Sequence, residues 1–175
     1  KIFRGKKRVR SGITMTLLID VSGSMAGGGF WKHHAAMETA KALAVASEVM
    51  NKQPVQVIAF SSIAREVKPF DVPVERGNWH IRPGGGTALS AALRLASERL
   101  PKDRENLLVV ITDGDPDSPT DSAGEIARLR RMGNVRLLFV VIEPFQSGYS
   151  LEPFLRKNEF VRLRDKRQMK ILSIE

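Results

Sequence analysis

Two apolar, β-branched runs end abruptly on aspartate, and nothing else in the sequence constrains the fold as tightly. Ile13 to Ile19 reads Ile-Thr-Met-Thr-Leu-Leu-Ile and stops at Asp20; Leu107 to Thr112 reads Leu-Leu-Val-Val-Ile-Thr and stops at Asp113-Gly114. Runs this short and this apolar read as buried strands, the second covered on both faces as in the middle of a parallel sheet. Further strands are predicted at Val55 to Phe60, Val135 to Ile142 and Phe160 to Leu163, with a weaker one around Glu66 to Phe70. Between them the spacing predicts helices. The first covers 35–50, with Ala36, Ala40, Leu43, Ser47 and Met50 on one face and Glu48 four before Lys52 on the other. A second carries Leu89, Ala92, Leu93, Ala96 and Leu100. A third has a capping box at Ser122 and Glu125, Arg130 and Arg131 at its negative end, and Gly133 as its stop. A last helix is expected from about Lys166 to Ile174. Strands alternating with helices give an α/β fold: a doubly wound, mainly parallel central sheet flanked by helices.

At 175 residues, 42% of them apolar, the chain suits one core. We read residues 1–10 as a basic arm and 11–175 as the domain, with no initiating Met or signal peptide, as in a piece of a longer protein. No apolar run is long enough to span a membrane as a helix. With no cysteine, disulfide scaffolds, thiolate nucleophiles and iron–sulfur clusters are excluded, and the cytoplasm is the default compartment. The net charge of +9 is concentrated at the ends. Residues 1–10 hold six Lys or Arg and no acid, and 156–170 hold seven against Glu159 and Asp165, while the body is balanced. The ends read as a solvated linker and a cationic helix; nucleic-acid or other polyanion binding through them is the alternative.

In an open parallel sheet, ligands bind beyond the carboxyl ends of the strands. Three segments are predicted there: Asp20-Val21-Ser22-Gly23-Ser24-Met25, Gly84-Gly85-Gly86-Thr87 before a helix, and Thr112-Asp113-Gly114-Asp115. Their donors are carboxylates and hydroxyls, with no imidazole or sulfur, which selects Mg²⁺, Mn²⁺ or Ca²⁺ over zinc or copper. A set of so few donors leaves a coordination position open. The same residue types also favour helix N-caps, but capping requires one per helix and not a convergent set of five.

At these residues the sequence resembles the von Willebrand factor A (vWA) domain family and its metal-ion-dependent adhesion site (MIDAS). Asp20, Ser22 and Ser24 match Asp-x-Ser-x-Ser, Thr87 matches the threonine of the Gly-rich loop, and Asp113 matches the later aspartate. The resemblance covers about residues 11–175. It implies Ser22, Ser24 and, in one conformation, Thr87 as direct ligands of Mg²⁺, with Asp20 and Asp113 acting largely through water. It also implies a partner protein whose Asp or Glu completes the shell. The absence of cysteine and the basic lead-in are similar to the C-terminal modules of the bacterial chelatase group, whose subunits work with AAA+ ATPases.

Catalysis is not expected. No Gly-x-Ser-x-Gly elbow surrounds Ser22 or Ser24, the glycine loop lacks a P-loop lysine, and no motif nominates a general base. Asp115 and Asp117 read as a polar Asx-turn loop. His33, His34 and His80 read as structural or exposed. Phe30 and Trp31, after Gly27 to Gly29, stand either as a partner's anchor or folded onto the sheet.

Overall fold

The computed structural model describes residues 12–27, 31–142 and 149–163. Six strands form one sheet: β1 Ile13–Asp20, β2 Val55–Phe60, β3 Ala64–Lys68, β4 Glu105–Thr112, β5 Val135–Ile142 and β6 Phe160–Leu163. Their order is β3-β2-β1-β4-β5-β6. Every pairing is parallel except β2 with β3, which is an antiparallel edge with a register shift at Val57/Ile58. Three helices accompany them: α1 Trp31–Val45, α2 Leu89–Arg99 and α3 Pro119–Arg131. The doubly wound, mainly parallel sheet expected from the alternation is the fold observed.

Strand alternation divides the core into two layers. Leu17, Ile19, Val109, Ile111, Val140 and Ile142 point to the face covered by Ala36, Met37, Ala40 and Ala44 of α1. Leu18, Leu108, Val110, Phe139 and Val141 point to the other, under Leu89, Leu93 and Ala96 of α2 and Ile126 and Leu129 of α3. Central burial on both faces explains why β1 and β4 read as nearly unbroken apolar runs. Their register pairs Ile19 with Ile111, so Asp20 comes level with Thr112 and Asp113 follows directly on the same rim.

Local expectations needed correction in three places. Met50 lies largely exposed, because the end of α1 widens into a π turn, Ala46–Met50, and the extra residue rotates it off the buried face. The third helix starts a turn earlier than Ser122. Ser118 is its N-cap, accepting from the Asp121 amide, and Pro119 occupies the first turn, while Ser122 is buried inside the helix. Gly133 does follow the helix, at φ 77°. The basic arm 1–10 and the helix expected at 166–174 lie outside the described residues.

Glu48 faces inward and does not pair with Lys52. Its Oε1 is 3.1 Å from the fully buried ammonium of Lys68, and its Oε2 accepts from the Val74 amide at 2.7 Å. Lys68 Nζ also donates to the carbonyls of Val55 and Pro69 at 2.6 and 3.1 Å. One charged pair thus ties the end of α1 to the antiparallel edge and to the loop after it. Glu48→Ala leaves a buried ammonium without its counter-ion, and is expected to cost about 2–3 kcal/mol in chemical denaturation.

Candidate metal centre

The five predicted residues converge on one rim. Asp20 ends β1 and its carboxylate is buried; Oδ1 accepts from the Ser22 amide at 2.8 Å and Oδ2 from the Thr112 hydroxyl at 2.5 Å. Ser22 Oγ lies 3.0 Å from Ser24 Oγ, which donates to Asp113 Oδ1 at 2.7 Å. An ionised carboxylate only accepts. The Ser24 proton is therefore directed at Asp113, and its lone pairs are left for Ser22 or for a cation. Burial grades across the set: Asp20, Ser22, Asp113 and Thr87 are covered and Ser24 is exposed, so the site opens outward at Ser24.

The glycine loop brings Thr87 to this group. Gly23 donates to the Gly85 carbonyl at 3.0 Å and Gly84 to the Val21 carbonyl at 2.8 Å, which laces the loop to the Asp-x-Ser-x-Ser turn. Gly85 has φ +83°, and a Cβ there would lie 2.6 Å from Ser62 Oγ, so only glycine fits. Both carboxylate oxygens of Asp117 accept from the Thr87 amide at 2.9 Å, and the Asp117 amide returns a bond to the Thr87 carbonyl.

A test of fit comes from Gly114. A Cβ built there would lie 3.5 Å from Ser24 Oγ, 3.8 Å from Thr87 Oγ1 and 4.0 Å from Asp20 Oδ2. Three hydroxyl or carboxylate oxygens from three separate segments thus lie within 4 Å of one point beside Gly114. Hard oxygen donors around such a point suit a hard divalent cation. Among the described residues, no three His, Cys, Asp or Glu side chains gather as a ligand set, so the hydroxyls are indispensable to this reading.

Several site residues escaped the sequence reading. Thr112 lies inside an apolar run, yet it clamps Asp20 and accepts from the Gly114 amide at 3.2 Å. Asp117 holds Thr87, and Asp115 Oδ1 accepts from the Ser150 amide at 2.8 Å, so the acidic loop, read as a polar Asx turn, also ties together segments across the rim. Lys32 Nζ is 2.8 Å from Asp113 Oδ2. Tyr149 is buried nearby, its hydroxyl without a hydrogen-bond partner among the described residues; burial and the charges of Asp115 and Asp20 push its phenol up. Trp31 packs against the core of the α1 layer, while Gly28 to Phe30 lie outside the described residues. His33, His34 and His80 line one open cavity of about 620 Å³ with Trp79 and Arg82, a convergence that their sequence positions do not betray.

A family model described as "Rv0959-like protein, vWA domain" matches residues 13–130, which contain all five oxygen-bearing residues. Solved structures of similar fold include a von Willebrand factor type A protein from Catenulispora acidiphila, 21% identical with a TM-score of 0.70, covering 93% of this chain and 42% of that one. Proximal thread matrix protein 1 from the mussel byssus, with a zinc-occupied MIDAS motif, is 14% identical with a TM-score of 0.70, over 93% and 45%. Manganese-loaded Plasmodium vivax TRAP is 17% identical with a TM-score of 0.66, over 92% and 71%. At these identities the likeness is one of fold. The chain spans less than half the length of the first two proteins. No curated protein matches the sequence significantly.

Burial pushes the Asp20 carboxyl up to about 6, against the lowering effect of its hydrogen bonds from Ser22 and Thr112. Between about pH 4 and 6 the folded state then holds a proton that the unfolded chain has released. Stability of the ion-free protein should accordingly fall as pH rises through this window, by on the order of 2–3 kcal/mol. Denaturation midpoints of the wild type and Asp20→Asn, compared from pH 4 to 7, should converge at the low end and separate at the high end in favour of the variant.

Proposed function

We propose that this chain, which belongs to the Rv0959-like vWA domain family, is a metal-dependent protein-binding module. In this reading a divalent cation sits at Asp20, Ser22, Ser24, Thr87 and Asp113 and takes a carboxylate from a partner protein. The observation that carries it is the point beside Gly114, on which oxygens of Ser24, Thr87 and Asp20 converge. Ser24, at the solvent edge, marks the side from which a partner's Asp or Glu would approach. Mg²⁺ is the proposed ion, as the hard cation whose small octahedral shell such short side chains match. Mn²⁺ and Ca²⁺ use the same donors. Two proteins of similar fold, one with a zinc-occupied MIDAS motif and one manganese-loaded, favour a divalent ion in general.

Binding is favoured over catalysis by how the rim carboxylates are used. Asp20 is held by Ser22 and Thr112, Asp113 by Ser24 and Lys32, Asp117 by Thr87, and Asp115 by Ser150. Each is engaged in hydrogen bonds or an ion pair within the chain, which supports a binding role over a catalytic one. For the partner we extend the resemblance to chelatase subunits: an AAA+ ATPase in the cytoplasm, presenting an acidic side chain to the ion.

Calorimetry with MgCl₂ or MnCl₂ tests the site. Wild type should bind one ion, and Asp20→Ala or Asp113→Ala should remove binding while far-UV circular dichroism stays unchanged, because neither side chain belongs to an apolar core layer. An unaltered ion affinity in Asp20→Ala would reject the assignment. Capture of a partner should be abolished by EDTA and restored by Mg²⁺; binding that ignores EDTA but weakens steeply with salt would point instead to phosphate contacts.

A further inference from the structure

Lys32 stands where a cation is least welcome. It is the second residue of α1, in a first turn that carries no acidic residue, so its charge lies at the positive end of the helix dipole. A lysine there ordinarily reaches into water. This one instead keeps only 15% of its side chain exposed and places Nζ 2.8 Å from Asp113 Oδ2, on a residue 81 positions away whose side chain is fully buried. Among the described residues, the other oxygen of Asp113 accepts a neutral hydroxyl proton, from Ser24. A buried carboxylate with one neutral hydrogen bond is costly, and the ammonium relieves it.

We propose that Lys32 is a tethered cation of the metal centre: it neutralises Asp113 before an ion arrives and opposes the ion once it is bound, so that it holds the affinity for divalent cations down. This inference rests on the metal-binding reading above. An incoming ion must share Asp113 with a positive charge already in contact with it. Once loaded, the centre would hold the divalent ion and the Lys32 ammonium against the same carboxylate of Asp113, a like-charge contact that a carboxylate from a partner relieves. Lys32 thereby favours an anionic ligand at the expense of the bare ion, and couples the binding of the two.

The test is calorimetric titration of MgCl₂ into the wild type, Lys32→Met and Lys32→Gln, with thermal melting recorded with and without the ion. A like charge a few ångströms away commonly shifts such equilibria by a factor of ten or more, so both variants should bind Mg²⁺ about tenfold tighter than the wild type. Without ion they should melt lower, because Asp113 has lost its counter-charge, and Mg²⁺ should raise their melting temperature more than it raises that of the wild type. Lys32→Gln keeps a hydrogen-bond donor for Asp113 and serves if Lys32→Met fails to fold. Wild-type binding with no tightening in either variant overturns the role of Lys32 and leaves the metal centre standing. Failure of all three proteins to bind Mg²⁺ or Mn²⁺ overturns both.

Discussion

Two carboxylates buried at the carboxyl ends of the central strands set the terms for everything around them. β1 and β4 lie side by side and parallel, so Asp20 and Asp113 come to the same point of the rim, each largely out of water. Unpaired charge in such a place is expensive, and the surrounding residues read as the means of meeting that demand. The Thr112 hydroxyl and the Ser22 amide serve Asp20; Ser24 and the Lys32 ammonium serve Asp113. The hydrogen bonds do not fully offset the burial of Asp20, whose carboxyl stays well above the usual range. The one cationic side chain that meets this demand among the described residues, Lys32, pairs with Asp113 and leaves Asp20 to neutral donors.

The sheet supplies what makes such an arrangement tolerable. Alternate residues of β1, β4 and β5 fill separate apolar layers on the two faces, and the strands that carry the aspartates are buried over their last five residues. The oxygen-bearing side chains of the rim belong to neither apolar layer, although Val21 and Met25 of the same turn do. Substitutions at the metal centre are therefore separable from the fold, whereas the Glu48–Lys68 pair, though also ionic, is woven into the antiparallel edge and is not separable in the same way.

What could be read in the sequence followed from local chemistry. Apolar runs gave the strands, turn residues their ends, and the fixed spacing of Asp20, Ser22 and Ser24 the core of the site. What escaped depended on distant partners. Asp117 looks like a solvated turn residue until the loop folds under Thr87, and Thr112 like one more β-branched strand residue until Asp20 comes level with it. Glu48 has a plausible local mate in Lys52, but the buried ammonium of Lys68 outbids it. Met50 fits helical periodicity and is displaced by a π turn, which shifts the period by one residue without leaving a mark in composition. Ser122 matched a capping box, but Ser118 followed by Pro119 is the stronger start, since proline accepts a first-turn position and needs no amide partner.

The metal centre also sits where the two core layers are joined by polar contacts. Lys32 arrives from α1 on one face of the sheet, Thr87 from the entrance to α2 on the other, and Asp117 from the approach to α3. Their bonds to Asp113 and to one another cross the rim above β1 and β4, so the charge held at this point bears on the start of helices from both layers at once. Apolar packing is non-directional and has no preference for which ion, if any, sits at the strand ends. The polar seam is directional, because Asp113 divides its two oxygens between the Ser24 hydroxyl and the Lys32 ammonium. A change of charge at the strand ends would thus be felt by a few hydrogen-bonded side chains at the edge, while the two apolar layers are left indifferent to it.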